Sequence, residues 1–218
     1  MPLSNITLII RKIFDDYDEK NGAQQKTDYA QRAENIVQTW TQSMAKEGLT
    51  TNLICELHRL VCEDEWIPIN DPKGGIVGFA KAGEYRTTPS SAPSSLHEGS
   101  RRLFLAPSDI PSRMQYLVQT MNGVFHANPP KETMIENIVA FTVEILTIHP
   151  FANQNGRIAQ VLMELFAFQA GIEPFNISYV VTNYYEEITK SVEEVLISQS
   201  VKPFFDVLNT VTVDKYVI

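Results

Sequence analysis

The sequence predicts a mainly α-helical protein, and two observations lead to that prediction. Apolar residues recur at three- and four-residue intervals in several long segments, which is the spacing of one face of an α-helix. No segment alternates apolar and polar residues for long, as a half-buried strand would. The chain has 218 residues, of which 44% are hydrophobic, so it is long enough for one domain with a sizeable core.

The clearest helical patterns lie in three segments. Residues 49–63 form an amphipathic pattern, and a longer one begins after Pro129-Pro130 and continues to His149. The third contains Ile158, Val161, Leu162 and Leu165 on one face, and we expect the second and third segments to be central helices. Less pronounced patterns predict helices over 5–20, 28–47, 112–126, 184–198 and 202–210.

Residues 64–111 interrupt the helical patterns. Glycines and prolines punctuate this stretch, and residues 87–100 are rich in Ser, Thr and Pro, which predicts a long irregular excursion. Loops of this length are usually functional or disordered. Neither an internal repeat nor a linker divides the sequence, so we expect a single domain over 1–218.

Charge and composition exclude several classes of partner and location. The 26 acidic and 18 basic side chains give a net charge of -8 without a basic cluster, which disfavours nucleic acid. No apolar run is long enough for a membrane span or a secretory signal. Cys55 and Cys62 lie about 10 Å apart along one predicted helix, too far for a mutual disulfide. We expect a cytoplasmic protein, or one that a dedicated secretion system delivers into a host cell.

The densest chemical signal is the run from Ile148 to Arg157, which connects the two central helices and reads IHPFANQNGR. A helix that ends at His149 brings an imidazole to the connection. Asn155 and Gly156 begin the next helix, whose N-terminal N–H groups and dipole form an anion site. The guanidinium of Arg157 can bind phosphate oxygens in bidentate fashion. A base thus faces a phosphate cradle, which suits attack of a hydroxyl group on a phosphate.

A purely structural interpretation of the same run stays open. A histidine at a helix C-terminus, followed by proline and an Asn-Gly turn, can be a satisfied helix stop. Chain order alone does not decide between the two interpretations. For His58, no second His or Cys lies at zinc-ligand spacing on the same helix, so we expect a residue at the core edge or the surface.

The run from His149 resembles the signature of the Fic family of AMP-transferring enzymes, His-Pro-Phe-x-(Asp/Glu)-Gly-Asn-Gly-Arg-x-x-Arg. Six of its nine fixed positions match, namely His149, Pro150, Phe151, Asn155, Gly156 and Arg157. Other stretches also resemble family segments, so that the similarity covers roughly residues 30–210. These stretches are Glu56-Leu57-His58, Ala82-Gly83-Glu84-Tyr85-Arg86, 107–114 and 184–204.

The resemblance implies a Fic-type helical bundle with a short β-hairpin flap and a core over 49–210. It implies that the motif loop binds ATP with Mg²⁺, and that His149 is the general base that activates a Ser, Thr or Tyr hydroxyl. Residues 84–106 would form the flap, which in the family pairs with a target protein by strand addition. Whether the chain forms a homodimer is left open. The implied nucleotide-binding residues are Phe151, Gln154, Asn155, Gly156, Arg157 and Gln160.

Three positions depart from the signature. Asn153 stands where the family has the Asp or Glu that holds Mg²⁺, and a neutral amide lowers the expected metal affinity. Gln154 replaces a glycine, and a side chain there costs about 1–2 kcal/mol if the backbone is left-handed. Gln160 replaces the final Arg, which in the family binds the terminal phosphate. We therefore predict weakened AMP transfer. One alternative is an inactive binding or regulatory protein. Another is a transferase that uses a different phosphate donor and moves a UMP or phosphocholine group.

Many family members carry an inhibitory helix, (Ser/Thr)-x-x-x-Glu-(Gly/Asn), ahead of the core, and the helices within 1–48 are candidates for it. The stretch from Ala30 to Asn35 places Glu34 at the inhibitory position but lacks the leading hydroxyl. The alternative is an ordinary exposed glutamate, because Gln160 cannot form the ion pair that the family's inhibitory glutamate makes.

Overall fold

Helices account for most of the computed structural model. It describes residues 2–21, 29–62, 65–70, 75–175, 177, 180–181, 184–200, 202–204 and 206–208. Residues 202–204 and 206–208 are helical, and the rest of the predicted 202–210 segment lies outside the described residues. The mainly α prediction is confirmed. The helices are α1 (Leu3–Asn21), α2 (Tyr29–Glu47), α3 (Thr51–Val61), α4 (Ile110–Ala127), α5 (Lys131–Ile148), α6 (Asn155–Gln169) and α7 (Tyr185–Ser198).

Local signals explain where several helices begin and end. α3 begins where the hydroxyl of Thr50 accepts a hydrogen bond from the Leu53 N–H at 3.0 Å, which satisfies one of the N–H groups that a helix start leaves without a partner. α4 ends at Asn128, whose backbone is left-handed with φ 44°, and asparagine is among the few residues that tolerate this conformation. α5 begins directly after Pro130.

The core is centred on α6, which is buried along most of its length. The ring of Phe166 on this helix meets three other aromatic rings edge-on: Phe141 of α5 at 4.7 Å, Trp40 of α2 at 5.5 Å and Phe125 of α4 at 5.6 Å. Edge-to-face pairs at these distances are favourable beyond the apolar area that they bury. One side chain therefore joins α6 to three neighbouring helices.

Residues 64–111 contain two β-hairpins, so the prediction of an irregular excursion was incomplete. β1 (Trp66–Asn70) pairs antiparallel with β2 (Ile76–Lys81). β3 (Ser91–Pro93) pairs antiparallel with β4 (Arg101–Leu103). The second hairpin lies within the predicted flap and confirms a short hairpin there. The strands escaped sequence analysis because β3 and β4 are too short to alternate, and β2 leaves consecutive apolar residues exposed.

Two further expectations can be compared with the structure. No helix in the described part of the chain is long and apolar enough to cross a membrane. Cys55 and Cys62 form no disulfide with each other, as their separation predicted. The Cys62 thiol lies 3.6 Å from His58 Nε2.

Candidate active site

His149 lies at the bend between α5 and the loop that leads to α6. Its backbone is left-handed, with φ 51°, and its N–H donates to the carbonyl of Ile145 at 2.9 Å. A residue with a side chain pays roughly 1–2 kcal/mol for this conformation, so the surrounding contacts must hold the bend in place. Two side chains that provide such contacts are Arg86 and His58.

Arg86 fastens the C-terminal end of α5 to the flap. Its buried guanidinium donates to the carbonyls of His149 at 2.7 Å and Ile148 at 3.2 Å, which are among the acceptors that a helix end leaves unsatisfied. It also donates to the carbonyls of Thr88 and Leu105, near the two ends of the flap. One side chain thus positions both the bend and the flap.

His58 positions the other side of the loop. The N–H of Gly83 donates to His58 Nδ1 at 2.9 Å, so Nε2 carries the proton and donates to the carbonyl of Asn153 at 3.0 Å. The ring stacks on Phe151 with centroids 3.7 Å apart. Burial lowers the pKa of His58 to about 4. His58 is fully buried, so the expectation of a core-edge or surface residue was wrong.

Asn155 stabilises the loop internally. Its Oδ1 accepts the Phe151 N–H at 2.9 Å, and its Nδ2 donates to the Phe151 carbonyl at 2.8 Å. Both polar ends of the amide are therefore occupied. Its backbone N–H lies in the first turn of α6, where a helix leaves N–H groups without an intrahelical acceptor.

The two neighbouring departures from the signature have clear geometry. Gln154 has left-handed backbone, with φ 61°, so the condition for a strained side chain at this position is met. The exposed Asn153 accepts the Gln154 N–H at its Oδ1, at 2.8 Å. This loop offers no carboxylate, and the described residues include no cluster of three or more His, Cys, Asp or Glu side chains that could hold a metal. The residues present do not fit a protein-bound Mg²⁺.

A cavity of about 220 Å³ lies between the bend and the flap. His149 and Gly156 both line it, so the imidazole and the first turn of α6 face the same space. Gln160 lines the cavity one turn further along α6, and Arg102 and Phe104 line it from the flap. Its other walls are mostly apolar, with side chains from α5, α7 and Phe204.

The imidazole of His149 is neutral at physiological pH. Its ring stacks on Phe104 with centroids 3.9 Å apart, and the buried Nδ1 has no hydrogen-bond partner among the described residues. Burial, together with the positive charges of Arg86 and Arg102, lowers the pKa of His149 to about 4. A neutral ring can accept a proton, although its low pKa makes it a weak base.

Of the sequence-predicted site residues, His149, Gly156 and Gln160 line the cavity; six others do not, namely Glu34, Phe151, Asn153, Gln154, Asn155 and Arg157. Arg157 is buried, and its guanidinium lies over the ring of Phe14 in α1, 5.7 Å from the centroid. Phe151 packs beneath the loop against His58. Glu34 is exposed on α2, where its carboxylate accepts a hydrogen bond from Gln31 of the same helix. The structure does not bring Glu34 to the cavity.

Sequence analysis missed the contributions of Phe104 and Arg102 and the role of Arg86. The stretch Gly83-Glu84-Tyr85-Arg86 was noticed for its family resemblance, and its arginine is the residue that holds the bend. Nothing in the sequence distinguishes Arg102 from the neighbouring Arg101, whose side chain is exposed and bonds to Ser91. The difference comes from strand alternation, which turns the two side chains to opposite faces of the hairpin.

Comparison with known proteins gives one family match and several structural matches. A family model described as Fic/DOC family matches residues 48–167, which is more than half of the chain. The fold is similar to that of a Fic domain containing signaling protein from Bacteroides thetaiotaomicron, with a TM-score of 0.57 and 18% identity over 87% of this chain and 70% of that chain.

Two further solved structures show the same likeness. A Fic family protein from Desulfovibrio desulfuricans has a TM-score of 0.59 and 16% identity, over 100% of this chain and 69% of that chain. Fic-1 (residues 134–508) from C. elegans has a TM-score of 0.53 and 18% identity, over 98% of this chain and 72% of that chain. Likeness at such low identity establishes the fold alone.

Proposed function

The chain belongs to the Fic/DOC family, and on that premise we propose that it is a Fic-type transferase that moves AMP from ATP to a hydroxyl side chain of a target protein. The altered motif reduces the rate of this reaction. The observation that supports the proposal best is the shared cavity, because the ring of His149 and the first turn of α6 at Gly156 line the same space.

The proposed reaction is a displacement at the α-phosphorus of ATP. The neutral imidazole of His149 takes the proton of the target hydroxyl while its oxygen bonds to the α-phosphorus. The bond between this phosphorus and the oxygen that bridges to the β-phosphate breaks, and pyrophosphate leaves. The N–H groups of Asn155 and Gly156 precede the first intrahelical bond of α6, from Ile158 N to Gln154 O at 3.0 Å, and stabilise negative charge in the transition state.

Three features support a reduced rate. Asn153 provides no charge for a metal, and its Oδ1 is occupied by the Gln154 N–H. Gln160 brings a neutral amide to the cavity, and the guanidinium of Arg157 lies over Phe14. Because the residues do not fit a bound Mg²⁺, no step above uses a metal held by the protein, and Asn153 is not proposed as a ligand.

The proposed target protein binds at the flap by strand addition. The sheet of β3 and β4 has two strands, so each strand has an edge that no third strand of this sheet covers. Leu103 on β4 is 80% exposed, which gives an incoming strand an apolar side chain to cover. Backbone pairing of this kind tolerates varied target sequences.

A second candidate is an inactive binding or regulatory protein that keeps the cavity. The specific observation in its favour is that the loop lacks a carboxylate and that Asn153 Oδ1 already accepts a hydrogen bond from the Gln154 N–H. A transferase that moves a UMP or phosphocholine group from another donor is tested by the same experiments, with the label placed in that donor.

The deciding experiment is protein labelling with ATP that carries radiolabel in its α-phosphate, in lysate with Mg²⁺ or Mn²⁺. We expect faint labelling by the wild type, stronger labelling by Asn153→Asp and none by His149→Ala. His126→Ala is the matched control, since His126 is an exposed histidine at the end of α4 and its loss should change nothing.

The other outcomes are equally informative. Labelling that persists in His149→Ala removes the general-base assignment. Strong wild-type labelling that Asn153→Asp leaves unchanged contradicts the reduced rate. Calorimetry with ATP, UTP and CDP-choline, combined with labelling from each of them, distinguishes the remaining cases. Binding without transfer favours the regulatory protein. Transfer from UTP or CDP-choline, but not from ATP, shows that the donor is not ATP.

A further inference from the structure

We propose that Arg102 of the flap supplies the positive charge that binds the phosphate chain of the donor in this cavity. The inference rests on the proposed function, because it takes the donor to be a phosphate-containing nucleotide. Arg102 lies on β4 opposite Ala92, and its side chain is 17% exposed. It lines the cavity together with His149 and Gly156.

The guanidinium of Arg102 is poorly satisfied. Its Nε and Nη1 are buried and have no hydrogen-bond partner among the described residues. Its guanidinium faces Glu193 of α7, whose Oε1 lies 4.0 Å from Nη1, beyond hydrogen-bond distance. Buried N–H donors that lack acceptors are costly. An anion in the cavity would satisfy them.

Glu193 cannot fill this role, because its carboxylate is already engaged by the flap tip. It accepts hydrogen bonds from the Ser94 hydroxyl at 2.8 Å, the Ser95 N–H at 2.8 Å and the Leu96 N–H at 3.3 Å. Arg86, the other cation near His149, is also committed, since each of its three nitrogens donates to a backbone carbonyl. Of these two described arginines, Arg102 is therefore the one with remaining donor capacity.

The surroundings favour a phosphate as the anion. The cavity combines the guanidinium with the first turn of α6 at Gly156, and a helix N-terminus and an arginine are both phosphate ligands. The remaining walls are mostly apolar, which strengthens the attraction between opposite charges. Gln160 lines the same cavity but is uncharged, so Arg102 provides the positive charge that residue 160 lacks.

A purely structural role would make different predictions. The Arg102 guanidinium lies 5.0 Å from the centroid of Phe104, so it also supports the flap. If support were its whole role, replacing it would weaken the binding of AMP, ADP and ATP alike. If it binds phosphate, the loss grows with the number of phosphates.

The experiment is calorimetric titration of AMP, ADP, ATP, UTP and inorganic triphosphate into the wild-type chain and its variants. We expect Arg102→Gln to weaken ATP binding at least tenfold and AMP binding much less. Arg102→Met, which keeps a long unbranched side chain and removes the charge, should behave likewise if Arg102→Gln folds poorly. Arg101→Gln is the matched control and should bind as the wild type does. The double variant Arg102→Gln with Gln160→Arg should recover ATP binding, because residue 160 lines the same cavity.

The outcomes separate this inference from the proposed function. The role of Arg102 is overturned if folded Arg102→Gln or Arg102→Met binds ATP within twofold of the wild type, or if its affinities for AMP and ATP fall equally. Either result leaves the transferase proposal standing. Binding of UTP or inorganic triphosphate but not ATP, abolished by Arg102→Gln, supports the role and overturns AMP transfer. A wild type that binds none of these phosphates overturns both.

Discussion

Two neutral histidines should make the fold lose stability in mild acid. Burial lowers the pKa of both His58 and His149 from 6.5 to about 4. In the unfolded chain each ring gains a proton as the pH falls below 6.5, whereas in the folded chain it does so only near 4. Between these values the unfolded state binds more protons, so stability that is fully present above pH 6.5 is lost as the pH falls.

The size of the effect follows from the two pKa values. At pH 5 each ring costs about 2 kcal/mol of folding free energy by proton linkage, and the two together about 4 kcal/mol. Domains have a total stability of roughly 5–15 kcal/mol, so the loss is large enough to measure. Working at pH 5 and above limits the contribution from carboxylates, most of which titrate lower.

The assay is urea unfolding at pH 7, 6 and 5, combined with NMR titration of the histidine ring protons. His149→Gln and His58→Gln should each remove about half of the pH dependence between pH 7 and 5. His97→Gln is the control, because His97 is an exposed histidine in the flap. Titration of either buried ring near pH 6.5, or an unchanged pH dependence in both variants, would refute the reasoning.

Three further predictions concern the loop and the flap. Gln154→Gly should raise the free energy of unfolding by about 1 kcal/mol, because glycine adopts left-handed backbone without strain. A thermal melt should show this as a Tm increase of about 2–4 °C. Gln199 also has left-handed backbone, with φ 54°, so Gln199→Gly is the comparison and should raise the Tm similarly. Arg86→Ala should cost about 3 kcal/mol or more in urea unfolding, because one buried and three partly buried hydrogen bonds to carbonyls lose their charged donor. A loss below about 1 kcal/mol would contradict its role at the bend. Glu193→Gln should speed hydrogen exchange of the flap-tip amides severalfold, since a neutral acceptor holds them less well. Glu194→Gln, at a partly exposed neighbour paired with Lys190, should not change the exchange.

Much of the architecture was readable in the amino-acid order. Helical periodicity predicted α3, α5 and α6, and the family resemblance implied the hairpin that β3 and β4 form. The left-handed backbone at Gln154 was anticipated from the glycine that it replaces. These features depend on local geometry, such as side-chain spacing, helix ends and preferred backbone angles, and a short window of sequence contains that information.

Contacts between distant segments were decided by the tertiary structure. Arg86 reaches the end of α5 across 63 positions, and His58 reaches the motif loop across 95. Packing also turned Arg157, which the motif had assigned to the phosphates, toward Phe14, and it brought Arg102 into the cavity. Periodicity reports which face of an element is apolar, but the partner on that face depends on how all the elements pack, because burial and charge satisfaction are collective properties of the folded chain.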